Sequence, residues 1–162
     1  EGGSEVCELV HKLTQAGIPV VAHIGLTPQS VNQLGGFKVQ GKDVEAAKKL
    51  IDDAKALEAA GAFACVLECV PAALASKITQ ELTTMATIGI GAGNGCDGQV
   101  LVCNDLLGVS DGFCPKFVKR YADIHSITVN AVKSYINEVK DRSFPAPEHT
   151  FKIDDTVLEK LY

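Results

Sequence analysis

The chain has 162 residues, of which 46% are hydrophobic, and a formal net charge of −5, which suits one core-bearing domain. Its 15 basic residues are scattered, tryptophan is absent, and no apolar stretch approaches the roughly 20 residues that span a bilayer. The sequence therefore predicts no nucleic-acid-binding surface and no membrane-spanning segment.

Helical and strand-like patterns alternate from the start of the chain. Apolar residues recur every three or four positions at 4–16 and again from Asp43 to Gly61, which predicts two amphipathic helices. Between them, residues 18–23 form a β-branched run typical of a short strand, and residues 34–41, with a Gly-Gly pair, predict an irregular loop.

The later elements continue this alternation. In chain order they are a strand at 62–68, a helix at 72–82, strands at 86–91 and 99–103, helices at 116–121 and 127–139, and a short helix at 154–162. Such alternation implies an α/β fold with a parallel sheet. Four parallel strands with outer helices suit either half of a (β/α)₈ barrel or a small open sheet, because a whole barrel usually needs about 250 residues.

Glu68 is the most distinctive candidate for chemistry, because its carboxylate closes the apolar run at 62–68. Burying a carboxylate is costly without a role, and α/β folds keep their chemistry at the carboxyl ends of strands. Two other runs end in a similar way, one at His23 and one in the glycine cluster at 89–95. These ends predict one shared site, although Glu68 capping the next helix or pairing with a surface cation is the alternative.

Other motifs favour ordinary explanations when each is taken alone. Residues 93–98 match G-x-G-x-x-G, but they lead into a predicted strand, so close backbone approach beside a ligand is favoured over nucleotide binding. An isolated histidine such as His23 is more often a satisfied core residue than a ligand. The six cysteines lack zinc-site spacing and predict reduced, buried thiols in a cytoplasmic protein.

Several blocks together resemble the ketopantoate hydroxymethyltransferase family. They are HIGLTPQSVN at 23–32, GGFKVQG at 35–41, LECVP at 67–71, IGIGAGN at 88–94, DGQVLV at 97–102 and PKF at 115–117. They occur in the family's order and span most of the chain, whereas the tail after about residue 151 is less diagnostic. The resemblance implies a (β/α)₈ barrel, of which this chain supplies strands five to eight.

The resemblance also implies an activity and a set of small molecules. The family transfers a hydroxymethyl group from 5,10-methylenetetrahydrofolate to 3-methyl-2-oxobutanoate, which gives ketopantoate for pantothenate and coenzyme A. A divalent ion, usually Mg²⁺, is chelated by the keto acid and stabilises its enolate. Glu68 falls on the family's general base, Glu1 on a metal-associated glutamate of a Glu-Gly-Gly motif, and His23 on a pocket histidine that we expect to bind substrate.

The resemblance further implies partners. The first half of the family's barrel, with two aspartates, a serine and a lysine of the site, has no counterpart after Glu1, so we expect this half on the same or a companion chain. We expect one incomplete domain over 1–162, with a barrel half at 1–142 and an arm at 143–162 that packs on a neighbouring subunit of a homo-oligomer such as a decamer.

Two alternatives stay open at this point. One is a related barrel lyase or mutase that uses the same metal-bound enolate, against which the blocks around Thr27 and Glu68 argue. The other is a non-catalytic split half that acts in assembly only, which the abrupt start at Glu1 suggests.

Overall fold

A four-stranded parallel sheet forms the centre of one of two units in a computed structural model, which describes residues 1–30, 36 and 38–161. This first unit comprises Glu1–Val102 and Pro115–Val118, and the second comprises Cys103–Cys114 and Lys119–Tyr162. None of the described helices is both long and apolar enough to cross a membrane. The division of the chain into a barrel half at 1–142 and an arm at 143–162 rests on packing against a neighbouring subunit, so it stays a prediction.

The strands of the first unit lie side by side in chain order. They are β1 (Val21–Gly25), β2 (Ala64–Glu68), β3 (Ala86–Ile90) and β4 (Gly98–Gln99), and each pairs in parallel with the next. The register sets Gly25, Glu68 and Ile90 level with one another at the carboxyl edge of the sheet. This edge is where parallel α/β folds gather side chains for chemistry.

Helices cover one face of the sheet. They are α1 (Cys7–Gln15), α2 (Val44–Ala59) and α3 (Ala72–Glu81), with 3-10 turns at Ser4–Val6 and Pro28–Ser30. Alternate strand residues meet them in one buried core, which includes Val10, Ile24, Leu57, Leu67 and Ile78. Asp43 caps α2 by accepting a hydrogen bond from the Ala46 amide at 2.8 Å.

The opposite face of the sheet is less covered within this chain. His23, Val66, Glu68 and Ile88 alternate with the core residues and are only partly buried. Two of these four side chains are ionisable and two are apolar. The partly buried face, called here the inner face and defined by these four residues, therefore combines candidate chemistry with apolar surface.

The second unit is helical in its described residues. Its helices are α4 (Cys103–Leu106), α5 (Ile124–Asp141) and α6 (Asp155–Leu158), with 3-10 turns at Pro147–His149 and Glu159–Leu161. Asp123 caps α5 through the Ser126 amide at 3.0 Å, and Arg142 ends it in a left-handed conformation. The Phe144 ring packs edge-on against Tyr135, with centroids 5.7 Å apart, so the segment after α5 folds back on it.

Four predictions about local structure need correction. β1 begins at Val21 rather than at residue 18, because the Ile18 amide still bonds to the Leu13 carbonyl at the end of α1. It also continues to Gly25, so His23 lies in the middle of the strand and not, as predicted, at its end. β4 has two residues rather than five, and α4 already starts at Cys103. Residues 116–121 form no helix: a turn closes at Val118, and the Tyr121 amide bonds to the Leu106 carbonyl. The Tyr121 amide is thus bonded to a residue distant in the sequence and is not available for a helical bond within the segment.

The fourth correction concerns the cysteines. Only Cys65 is buried, whereas Cys103 and Cys114 are exposed and the other three are intermediate. The apolar character of cysteine predicted burial, but of the six only Cys65 lies on a strand of the sheet. Residues 34, 35 and 37 of the predicted loop at 34–41 lie outside the described residues, and the other five belong to no helix or strand, as predicted.

Candidate active site

Backbone bonds hold Glu68 at the carboxyl edge of the sheet. The Glu68 carbonyl accepts a hydrogen bond from the Leu26 amide at 2.8 Å, and the Cys69 amide donates to the Ile90 carbonyl at 2.9 Å. Gly25 has a φ of +92°, and a Cβ at this position would lie 2.3 Å from the Glu68 carbonyl oxygen. A residue without a side chain is therefore required beside the main chain of Glu68.

The side chains of His23 and Glu68 come together on the inner face. His23 Nε2 lies 3.1 Å from Glu68 Oε2, and the two side chains are only 19% and 15% exposed. Among the described residues, His23 Nε2 is buried without an aligned hydrogen-bond partner, so the two groups are close but not in ideal geometry. The ring nitrogen and the carboxylate are therefore available to contact a ligand.

Burial sets the protonation behaviour of Glu68. It raises the pKa of the Glu68 carboxyl above its ordinary value, nearby His23 opposes the rise, and Glu1 adds to it. Partial desolvation makes a carboxylate a stronger base, because its charged form loses water that would otherwise stabilise it. Glu68 thus has the surroundings of a general base.

Glu1 lies near the other ring nitrogen of His23. Glu1 Oε1 lies 3.9 Å from His23 Nδ1, and the Gly2 amide donates to the His23 carbonyl at 3.2 Å. The segment that carries Glu1 is therefore attached to β1 directly. The three residues singled out in the sequence, Glu1, His23 and Glu68, form one cluster.

The glycine cluster after β3 lies against a helix. A Cβ on Gly93 would lie 2.4 Å from the Ala72 Cβ, and one on Gly95 would lie 2.7 Å from the Ser76 Cβ. The close backbone approach predicted for these glycines is therefore an approach to α3. The two-residue β4 follows them, and no helix opens at Gly98 as a dinucleotide motif would require.

A buried carboxylate on α2 was missed in the sequence. Asp53 is 5% exposed and accepts a hydrogen bond from the Ser4 amide at 2.9 Å, while Lys49 pairs with its other oxygen at 2.5 Å. Burial would raise the pKa of Asp53, but the bonds from Lys49 and Ser4 outweigh it and hold this pKa below its usual value. The available signal was an acidic residue inside the apolar stripe of α2, three positions after Leu50.

A cavity of about 410 Å³ adjoins this carboxylate and Glu1. Its lining includes Glu1, Gly3, Gln40, Lys49 and Asp53, but neither His23 nor Glu68. The candidate active site is therefore the inner face and not the cavity, because the carboxylate of Glu68 lies outside the cavity.

The described part of the chain offers limited means of holding a metal. No group of three or more His, Cys, Asp and Glu side chains in it is arranged to bind one. Glu1 is 30% exposed and presents a hard carboxylate oxygen beside the site, which is the donor type that Mg²⁺ takes in ones and twos together with water and substrate. The donor chemistry suits a partial Mg²⁺ site and would need further oxygen ligands.

Thiol chemistry has little support at the same edge. Burial and the neighbouring Glu68 raise the pKa of the Cys69 thiol, and burial raises that of Cys65 to about 12. Raised pKa values disfavour the thiolate, which is the nucleophilic form. A carboxylate base is thus better supported here than a cysteine nucleophile.

Known proteins share this sequence over its whole length. The sequence model of the ketopantoate hydroxymethyltransferase family matches residues 1–147. Proteins named 3-methyl-2-oxobutanoate hydroxymethyltransferase from Carboxydothermus hydrogenoformans, Enterococcus faecalis and Clostridium novyi are 60%, 63% and 59% identical over all 162 residues. The chain spans 58% of the length of each of these relatives.

Proposed function

The chain belongs to the ketopantoate hydroxymethyltransferase family, and from that premise we propose that Glu68 is the general base of hydroxymethyl transfer to 3-methyl-2-oxobutanoate. The donor would be 5,10-methylenetetrahydrofolate, the product ketopantoate, and the setting cytoplasmic pantothenate and coenzyme A synthesis. One observation carries this proposal: a partly desolvated carboxylate lies 3.1 Å from an imidazole at the carboxyl edge of a parallel sheet.

In this proposal Glu68 removes a proton from C3 of the keto acid. The electron pair left at C3 delocalises onto the keto oxygen. As C3 bonds to the methylene carbon of the folate, one of the two carbon–nitrogen bonds of that carbon breaks, and the freed nitrogen takes the proton that Glu68 had accepted. Water then replaces the second nitrogen, which supplies the hydroxyl oxygen and a proton for that nitrogen and releases tetrahydrofolate. Because burial raises the pKa of Glu68, its carboxylate accepts this proton more readily than an exposed glutamate would. Proton transfer of this kind contributes about 10²–10⁴-fold to a rate.

His23 has a separate role in the proposal. Its Nε2 atom is buried without an aligned partner among the described residues and faces Glu68. A hydrogen bond from this nitrogen to the keto acid would satisfy the ring and direct C3 toward the base. His23 is therefore assigned to substrate binding rather than to metal ligation.

Glu1 is the residue of this chain that we assign to Mg²⁺. Its carboxylate lies beside His23 at the same edge, and the remaining oxygen ligands would come from substrate, water and the part of the family's fold outside this chain. When bound, the cation would draw electrons from the keto oxygen and so acidify the C3 proton.

We also propose that the rest of the family's barrel covers the inner face. The partly buried Val66 and Ile88 give that face apolar surface beside the two ionisable groups. A homo-oligomer such as a decamer, in which residues 143–162 pack on a neighbouring subunit, belongs to the same proposal.

The test measures exchange of the C3 proton of 3-methyl-2-oxobutanoate in D₂O by NMR, with Mg²⁺ and without folate. It uses this chain joined to the part of the Enterococcus faecalis relative that it does not match, called here the assembled protein. We expect exchange to fall at least about 100-fold in Glu68→Gln, because the base is lost while the side chain keeps its shape.

Glu81→Gln is the matched control, because Glu81, on α3, is a carboxylate paired with Lys55 of α2 and with Lys77 of α3. It should leave exchange unchanged. Undiminished exchange in Glu68→Gln would contradict the assignment of the base. If exchange occurs but no ketopantoate forms after 5,10-methylenetetrahydrofolate is added, the chain would belong to another enolate-forming barrel enzyme. If folded protein shows no exchange, the chain would be a non-catalytic half.

A further inference from the structure

The segment that carries Glu1 is held from two sides. On one side the Gly2 amide donates to the His23 carbonyl of β1. On the other, the Ser4 amide donates to Asp53 Oδ1, on the helix that covers the opposite face of the sheet. Glu1 lies one residue beyond the first attachment, so its position depends on both.

The contact with Asp53 is unusually close. A Cβ on Gly3 would lie 2.3 Å from both Cγ and Oδ2 of Asp53, so the main chain packs directly on the carboxylate. Glu5 Oε1 accepts the Gly3 amide at 2.9 Å, which fixes the same turn from within. Such contacts leave the turn little freedom to move while Asp53 stays in place.

Asp53 is also held in its own position. It is 5% exposed, and Lys49 one helical turn earlier neutralises it. A buried charge is costly to keep unless it is paired and hydrogen-bonded, and both conditions are met here. Fold stability alone would not require this carboxylate to face the turn that carries Glu1.

We propose that Asp53 is a positioning residue that sets the place of Glu1 beside His23 and thereby the affinity of the site for a divalent cation. The inference rests on the proposed role of Glu1. Asp53 touches neither substrate nor cation in this account and acts through the Gly2–Ser4 main chain.

The test measures binding of Mn²⁺ alone to the assembled protein by electron paramagnetic resonance, since Mn²⁺ accepts the oxygen ligands that suit Mg²⁺. We expect Asp53→Ala to raise the Kd about tenfold, because residues that orient metal ligands typically change affinity by about 10–100-fold when removed. Asp53→Asn keeps an acceptor for the Ser4 amide and should restore most of the affinity.

Glu58→Ala is the matched control. Glu58 is a second carboxylate on α2 that accepts backbone amides, but from the turn at Thr83–Met85, which lies before β3. Both alanine variants should unfold at lower temperature, and only Asp53→Ala should weaken Mn²⁺ binding. Equal loss of stability with unchanged Kd in both would overturn the inference and leave Asp53 a structural residue.

A second measurement separates this inference from the proposed function. Crystals of the assembled protein with Asp53→Ala should show Glu1 displaced from the 3.9 Å approach of its Oε1 atom to His23 Nδ1. If Glu1→Gln binds Mn²⁺ as tightly as the unaltered protein, the metal role of Glu1 fails. In that case the inferred effect of Asp53 on cation affinity fails as well. If Glu1 has not moved in the Asp53→Ala crystals, the inference that Asp53 positions Glu1 is overturned.

Discussion

Burial and the neighbouring imidazole act in opposite directions on the titration of Glu68. Burial raises its pKa, whereas His23 lowers it, and the net effect is a rise. Since the base must be ionised, C3 exchange should decline as pH falls through this raised pKa. The acid limb of the exchange profile should thus lie above the ordinary pKa of a glutamate.

His23→Gln should move that limb to higher pH. The substitution removes the group that lowers the pKa of Glu68 and leaves burial unopposed, so a larger share of Glu68 is protonated at a given acidic pH. The exchange rate of 3-methyl-2-oxobutanoate, measured by NMR across pH in the assembled protein, checks this. His11→Gln, an exposed histidine on α1, serves as control; a limb that stays in place or moves down would contradict the assigned coupling.

Gly25→Ala should damage the site more than its backbone strain alone predicts. Both Gly25 and Gly17 have positive φ values, of +92° and +79°, but a Cβ on Gly17 meets nothing within 4 Å. Gly17→Ala should thus cost about 1 kcal/mol of unfolding free energy from strain only, and Gly25→Ala about 2–4 kcal/mol, because it also displaces Glu68.

Urea denaturation and C3 exchange, measured on both glycine variants, test this difference. Exchange should fall in Gly25→Ala alone. Equal stability losses, with full exchange in both variants, would show that the contact with the Glu68 carbonyl has no role in placing the base.

At the scale of elements, α2 holds two different loops through two carboxylates. Asp53 binds the turn that carries Glu1, and Glu58 binds the turn between α3 and β3. The turn before α1 and the loop before β3 are therefore held by one helix, whose apolar stripe packs into the core through Leu50 and Leu57.

Glu58→Ala should lower the unfolding free energy by about 1–3 kcal/mol at pH 7, since one carboxylate oxygen accepts the amides of Thr83, Thr84 and Met85. Burial would raise the pKa of Glu58, but these bonds lower it to about 2 from 4.5. Because the folded pKa is depressed, the stabilisation is complete above about pH 4.5 and is lost as pH falls through about 2.

Urea unfolding at several pH values checks this prediction for Glu58. The difference between variant and unaltered protein should shrink in acid, and Glu45→Ala, an exposed acidic residue in the first turn of the same helix, should have little effect. A difference that does not change with pH would mean that the charge of Glu58 contributes nothing.

At the scale of the whole molecule, the inner face is the surface that matters. If the rest of the family's barrel packs there, Val66→Lys would bury a charge without a partner. When this chain is co-expressed with the unmatched part of the Enterococcus faecalis relative, the substitution should therefore reduce the recovery of the complex about tenfold. Leu9→Lys, at a site 59% exposed on α1, is the control. Equal recovery of both would contradict packing on this face.

Much of the fold was predictable from sequence because it depends on local pattern. The stripe of α2 and the apolar run ending at Glu68 each predicted an element close to its observed bounds, and their alternation predicted the parallel sheet. The α/β class is confirmed and, with family membership, so is a partial (β/α)₈ barrel. The division of the chain at residue 142, the metal and the folate stay predictions.

Elements whose formation depends on distant contacts were predicted poorly. The apolar run after Gln99 suggested a strand at 99–103, but the residues that pair with β3 are Gly98 and Gln99, before that run. The helix expected at 116–121 gave way to a long-range bond from Tyr121 to Leu106. Both errors arise because propensity describes a segment, whereas strand length and loop path depend on what lies beside it.

By itself the sequence determined the order of the elements, the identity of the carboxylate that closes β2, and membership of the family. Each of these depends on a local pattern or on the order of motifs along the chain. Only the tertiary structure decided which groups meet. It set His23 3.1 Å from Glu68, brought Glu1 to the other side of the same ring, and buried Asp53 against Gly3. Distances between residues far apart in the chain follow from strand register and helix packing, which fix residues in space that no sequence spacing relates.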